Sequence, residues 1–239
     1  MTGPTRHVVA CAHGTDNPEG RRLIDGLRAE LQRRLADHEP AIVVHEAYVD
    51  VQDPRLTGVL AGLPAGEPAV VAPLLLSEGF HTRVDIAEAV AARPATAAVA
   101  PIGAQQDLAR VLAERIRAAG WAEGDAVVLA SAGTREPRGQ EQAREAAVLL
   151  SRQLGVPVTA AFCSAAEPRV ADAVAAARAA GASRVGVASY LLAPGFFHDR
   201  LAGSGADYVS NPLLPSVMIA KCVVERLHEA GHLLPRDTE

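Results

Sequence analysis

The chain is written twice, and that repeat limits its possible folds more than any other feature. Residues 8–20 read VVACAHGTDNPEG and residues 127–139 read VVLASAGTREPRG, so the frame G-T-x-x-P-x-G stands in both. The run Glu46-Ala-Tyr-Val-Asp-Val-Gln-Asp-Pro-Arg-Leu56 returns as Ala160-Ala-Phe-Cys-Ser-Ala-Ala-Glu-Pro-Arg-Val170. Leu75-Leu-Ser-Glu-Gly-Phe-His81 returns as Leu191-Leu-Ala-Pro-Gly-Phe-Phe197. Both copies close on like segments, Glu114-Arg-Ile-Arg-Ala-Ala-Gly120 and Glu225-Arg-Leu-His-Glu-Ala-Gly231. A period of about 115 residues is far too long for a solenoid, so the chain is a duplicated domain. The boundary is expected near Gly120–Asp125, giving domains of 1–122 and 123–239.

Within each copy, short apolar runs alternate with helical patterns. Val8–Ala12, Ile42–Val49, Ala69–Leu76 and Ala97–Ile102 read as strands, as do Ala126–Ser131, Val156–Phe162, Arg184–Leu191 and Asp207–Ser210. Between them Leu23, Ile24, Leu27, Leu31 and Leu35 recur on one helical face, the spacing of an amphipathic helix. Strand and helix in alternation imply an α/β fold, with a parallel sheet covered on both faces in each half. Aromatic residues make up only 3% of the chain, so its cores must be built from Ala, Val and Leu. Two such halves would pack about a pseudo-twofold axis, a fused version of a symmetric dimer.

The repeat keeps its framework and drops its chemistry. His13 faces Ala132, Glu46 faces Ala160 and His81 faces Phe197. In an open parallel sheet, ligands bind beyond the carboxyl ends of the strands. His13 directly follows the first strand, His81 falls in the loop after the third, and Glu46 lies within the second or near its end. His45 is a rival to Glu46, because alternation sends the two to opposite faces, and His45 is lost as well, to Thr159. His198, one residue beyond the position matching His81, reads as a rim residue. His7, His38, His228 and His232 follow no repeat logic and read as surface. The Gly14-Thr15 turn, leading into a helix, offers backbone N–H groups to an anion.

Several classes are excluded. A net charge of -5 argues against a nucleic-acid surface. No apolar run reaches the roughly 18 residues of a membrane span, and no h-region of a signal peptide is visible. The three cysteines are too scattered for a disulfide framework or zinc knuckle. Together these features read as cytoplasmic. Neither a nucleotide-binding glycine motif nor a G-x-S-x-G elbow occurs. Two imidazoles and a carboxylate suit borderline metals such as Fe²⁺, Co²⁺, Ni²⁺ and Zn²⁺. An open set, unlike the four ligands of a structural zinc, suits a metal that is handed on. Imidazole, with an ordinary pKa of about 6.5, also accepts protons near neutrality. Metal insertion into a tetrapyrrole needs both functions, because two pyrrole N–H protons leave as the metal arrives.

On these residues the chain resembles the sirohydrochlorin chelatases, the small class II chelatases that insert cobalt or iron without ATP. The resemblance rests on His13-Gly14-Thr15, on Glu46-Ala-Tyr with Pro54, on Gly79-Phe80-His81 with Asp85-Ile86, and on Gly195-x-Phe197-x-x-Arg200-Leu201. It implies two similar chelatase-like domains, each a four-stranded parallel sheet with helices on both faces and a cleft between them. His13 and His81 would be metal ligands and proton acceptors, with Glu46 assisting, and the first half would be the active one. Fe²⁺ or Co²⁺ would be substrate, with no permanently bound cofactor, and the chain would be a monomer of pseudo-dimeric halves. Sirohydrochlorin carries eight carboxylates. Where the first copy has Asp16 and Glu19, the second has Arg135 and Arg138. These two, with Arg200, Gly14 and Thr15, are the expected substrate contacts, and Arg55, Arg83 and Arg169 add positive charge. A carrier of metal or tetrapyrrole without turnover is the alternative reading.

Overall fold

The computed structural model describes residues 6–38 and 41–231; the side chain of His38 and all of His232 lie outside the described residues. The first repeat runs β1 (Arg6–Ala12), α1 (Pro18–His38), β2 (Ile42–Tyr48), α2 (Leu56–Gly62), β3 (Ala69–Pro73), α3 (Phe80–Arg83), α4 (Asp85–Ala91), β4 (Thr96–Ala98) and α5 (Gln106–Ala118). The second runs β5 (Ala126–Ser131), α6 (Pro137–Leu154), β6 (Val158–Phe162), α7 (Val170–Ala179), β7 (Val185–Tyr190), α8 (Phe196–Leu201), β8 (Tyr208–Val209) and α9 (Val217–Glu229). Each repeat forms its own four-stranded parallel sheet, in the orders β2-β1-β3-β4 and β6-β5-β7-β8.

The central strands are apolar on both faces because both faces are covered. Val8 to Ala12 are buried along the whole of β1. On one side Val9 and Cys11 pack with Ala47, Leu56, Leu60 and Ile86 under α2 and α4. On the other, α1 buries Ile24, Leu27, Leu31 and Leu35 and lies against α9. The outer strands β4 and β8 are shorter than the apolar runs 97–102 and 207–210 suggest. Short edge strands leave few unpaired backbone groups to recruit another chain.

Compactness groups the chain differently from its repeat. One unit holds the chain through Leu75, then Phe80–Ile102, then the chain from Val217 onward; the other holds Leu76–Gly79 and Gly103–Ser216. The closing helices are therefore exchanged: α9 completes the first unit and α5 the second. Contact explains the exchange, since α9 packs on α1 and β3, whereas α5 packs on α6 and β7. The sequence boundary between 122 and 123 follows the repeat and not these contacts.

The loop after β2 is built alike in both units. Val49 and Asp50 donate their N–H groups to the carbonyls of Ala12 and His13, as Cys163 and Ser164 donate to Ser131 and Ala132. Val51 and Ala165 both hold left-handed φ angles, 60° and 59°. Both loops pass through a cis peptide, at Asp53-Pro54 and Glu167-Pro168. No described helix is long and apolar enough to cross a membrane.

Candidate metal centre

In the first sheet, β2 lies on one side of β1 and β3 on the other, so the strand order reverses between β1 and β3. That switch point opens a crevice at the carboxyl ends of the strands. His13 follows β1, and His81 comes from α3, just beyond β3. His81 is thus on a one-turn helix and not in the loop that the sequence suggested. The turn matters because it brings His81 alongside Asp85, the first residue of α4, whose Oδ2 lies 2.6 Å from Nδ1 of His81.

The two imidazoles meet with their Nε2 atoms 3.1 Å apart and their rings nearly perpendicular, at 86°. Each ring has its other nitrogen engaged by an acceptor: Nδ1–H of His13 donates to the Gly14 carbonyl at 3.2 Å, and Nδ1–H of His81 donates to the Asp85 carboxylate. These bonds assign the Nδ1–H tautomer to both rings. Two Nε2 lone pairs then face each other, an arrangement that a shared cation satisfies. Two metal–nitrogen bonds of ~2.0–2.1 Å at a tetrahedral angle put their nitrogens about 3.3 Å apart, close to the observed spacing.

A carboxylate completes the set. His13, Asp50 and His81 each offer a ligand atom within 4.8 Å of the others. Asp50 is carried there by the loop after β2, where its N–H bonds the carbonyl of His13 itself. Its carboxylate is held below the usual range, first by the Val51 N–H, then by Arg55, with His13 adding to the effect. It is therefore charged near neutral pH. Gly14 makes the approach possible. Its φ is +100°, and a Cβ there would run into the Asp50 carbonyl.

The sequence reading missed Asp50, although the repeat carried the signal: Asp50 faces Ser164, so a third functional group is lost from the second copy. Glu46 is placed elsewhere. It stands level with Ala10, three residues short of His13. Its carboxylate accepts from Tyr48 Oη at 2.6 Å and pairs with Arg28 at 3.0 Å. Arg28 also bonds Asp25 and the Tyr48 hydroxyl. Its rival His45 points away, as alternation requires, and meets Nδ1 of His7 at 2.9 Å, while Nε2 of His7 reaches Glu67 at 2.6 Å. Burial, then His7, pulls the His45 pKa down. His7, read as surface, is 5% exposed.

At the Gly14-Thr15 turn the polar groups of Thr15 are already engaged. Thr15 N–H donates to Gln52 Oε1 at 2.8 Å, and the Thr15 hydroxyl accepts from Asn17 N–H at 3.1 Å. Among the arginines, Arg138 is held by Glu141 and Glu145, both at 2.8 Å. Arg135 is exposed, without an ion pair among the described residues. Arg200 stacks over the Phe196 ring at 5.1 Å, Arg169 pairs with Glu167 at 3.2 Å, and Arg55 with Asp50 at 3.3 Å. His198 bonds the Ser210 carbonyl at 3.3 Å. Cys11 and Cys163 are not thiolate ligands: burial pushes them up to about 12 and about 11.

In the second unit two of the matching positions line the core. Ala132 and Phe197 pack against the apolar cluster that includes buried Leu201. The His81–Asp85 pair is replaced, four residues apart in both cases, by Phe197 and Leu201.

The chain belongs to the CbiX family, whose model matches it twice, over residues 7–119 and 126–230. A sirohydrochlorin cobaltochelatase of Methanothermobacter thermautotrophicus is 31% identical over 85 residues, which is 35% of this chain and 56% of that protein. The fold matches SirB from Bacillus subtilis, solved with Fe³⁺, at a TM-score of 0.77 and 18% identity, over 96% of this chain and 99% of the other. It matches CbiX, described as the terminal enzyme of siroheme biosynthesis in denitrifying bacteria, at a TM-score of 0.68 and 22% identity, over 94% and 99% of the two chains.

Proposed function

We propose that this chain inserts Fe²⁺ or Co²⁺ into sirohydrochlorin without ATP. The observation that carries the proposal is the meeting of the His13 and His81 Nε2 atoms, 3.1 Å apart, with the Asp50 carboxylate beside them. Family membership and the cobaltochelatase relative support the choice of substrate.

In this reading the incoming divalent ion is substrate, held by His13, His81 and Asp50. The macrocycle approaches and its nitrogens take over the metal. Each metal–imidazole bond that breaks frees a lone pair, and each freed lone pair accepts one of the two pyrrole protons. Charge balances, as a dication enters the ring and two protons leave it. Asp85 stabilises the imidazolium that forms on His81. Arg135 and Arg200, exposed in the second unit, bind substrate carboxylates; Arg138 contributes less because two glutamates already neutralise it. Glu46 assists through its Arg28 and Tyr48 network and does not ligate the metal. Two imidazoles and a carboxylate suit either ion, so supply decides between iron and cobalt.

The test is anaerobic absorbance of sirohydrochlorin with Fe²⁺ or Co²⁺. His13→Ala and His81→Ala should fall to the non-enzymatic rate. Asp50→Asn should weaken Co²⁺ binding more than Glu46→Gln; the reverse order would return the ligand role to Glu46. The Arg135→Ala, Arg200→Ala double variant should raise KM for sirohydrochlorin. Tight binding of Co²⁺ and sirohydrochlorin by the native protein without acceleration would sink the enzymatic reading in favour of a carrier.

A further inference from the structure

We infer that Phe80 and Val51 seat the flat face of the tetrapyrrole over the metal-holding trio, which rests on the function proposed above. Of the chain's eight Phe, Tyr and Trp residues, Tyr48, Phe162 and Tyr190 are at most 2% exposed, and Phe196, the counterpart of Phe80 in the second copy, is 67% exposed but lies under the Arg200 guanidinium, 5.1 Å from its ring. Phe80 is 59% exposed. It sits immediately before His81, its ring 5.9 Å from that imidazole and nearly perpendicular to it at 85°. Val51 is 40% exposed and immediately follows Asp50.

Neither exposure serves the fold. Phe80 opens a four-residue helix with no buried residue, where a polar side chain would cost nothing. Val51 is worse placed still, because a left-handed φ of 60° is strained for a β-branched residue. Strain of this kind collects at functional sites. The second copy keeps the same backbone angle but carries Ala165, so the exposed valine belongs to the unit that holds the trio. Two apolar side chains thus adjoin two of the three liganding residues.

The direction of metal insertion says what they touch. A metal enters a macrocycle through its face, so a ring receiving an ion from His13, Asp50 and His81 lays that face over them. The residues next to the trio meet the apolar conjugated plane, and the carboxylates lie out at the rim. An aromatic ring and a branched aliphatic group suit that plane.

The experiment measures KM and kcat for sirohydrochlorin metallation with Co²⁺, and separately the Kd for Co²⁺ alone. Phe80→Ala should raise KM about tenfold and leave the Kd for Co²⁺ unchanged; Phe80→Trp should restore KM. Val51→Asn suits the left-handed backbone and should raise KM in the same direction. An unchanged KM in Phe80→Ala overturns the inference, as does a parallel loss of Co²⁺ affinity, which would mean that Phe80 only props His81. Native protein that fails to metallate sirohydrochlorin at all overturns the proposed function, and this inference with it.

Discussion

Gly14 and Gly133 perform the same backbone task with different functional stakes. Both hold φ near +100°, and at each a Cβ would strike a carbonyl across the loop, that of Asp50 or of Ser164. Substituting alanine should cost about 1–3 kcal/mol at either position. Gly14→Ala should also abolish Co²⁺ binding, because Asp50 and His13 are positioned through that contact. Gly133→Ala should lower Tm by a similar amount and leave Co²⁺ affinity intact, as thermal melts and metal titration on the two variants would show. At this scale the repeat made His13 and His81 legible, since a shared frame that loses two imidazoles marks them. Asp50 was equally legible through Ser164. Glu46 was not, because its Arg28 partner sits on a preceding helix and no spacing rule brings the two together. The tautomers of His13 and His81 depend on a carbonyl and a carboxylate whose positions only the folded chain defines.

Among the elements, α3 and α8 show how one scaffold serves two ends. A helical turn sets residues four apart side by side. In the first unit that geometry joins His81 to Asp85, and in the second it joins Phe197 to Leu201 at the edge of the core. Asp85 acts behind the ligand: it fixes which nitrogen of His81 carries the proton. Asp85→Asn keeps the shape and removes the charge. It should lower Co²⁺ affinity by about 10–100-fold, the usual cost of losing such a partner, with no change in the far-ultraviolet circular dichroism. The alternation of strand and helix was readable from apolar periodicity; the order of strands within each sheet was not. The one-turn α3 was not, for it is too short to show a period and buries nothing.

For the whole molecule, the exchanged closing helices matter most. A chain cut after Ser216 keeps every proposed ligand but loses α9, which buries Ile219, Ala220, Cys222, Val223, Val224 and Leu227. That truncation uncovers the apolar face of α1 and should leave the first unit without a cooperative melt, as calorimetry or the binding of a hydrophobic dye would register. Periodicity could not reveal the exchange, because the two closing segments are alike in sequence and either could cap either sheet. The exchange also sets a clock on biosynthesis. The segments that carry His13 and His81 leave the ribosome first, yet their unit's covering helix comes after Gly103–Ser216. At ~5–20 residues per second that interval lasts roughly 6–23 s. The unit that holds the proposed ligands begins first and finishes last, so in a nascent chain those ligands meet the cell's metal pool before their scaffold is closed.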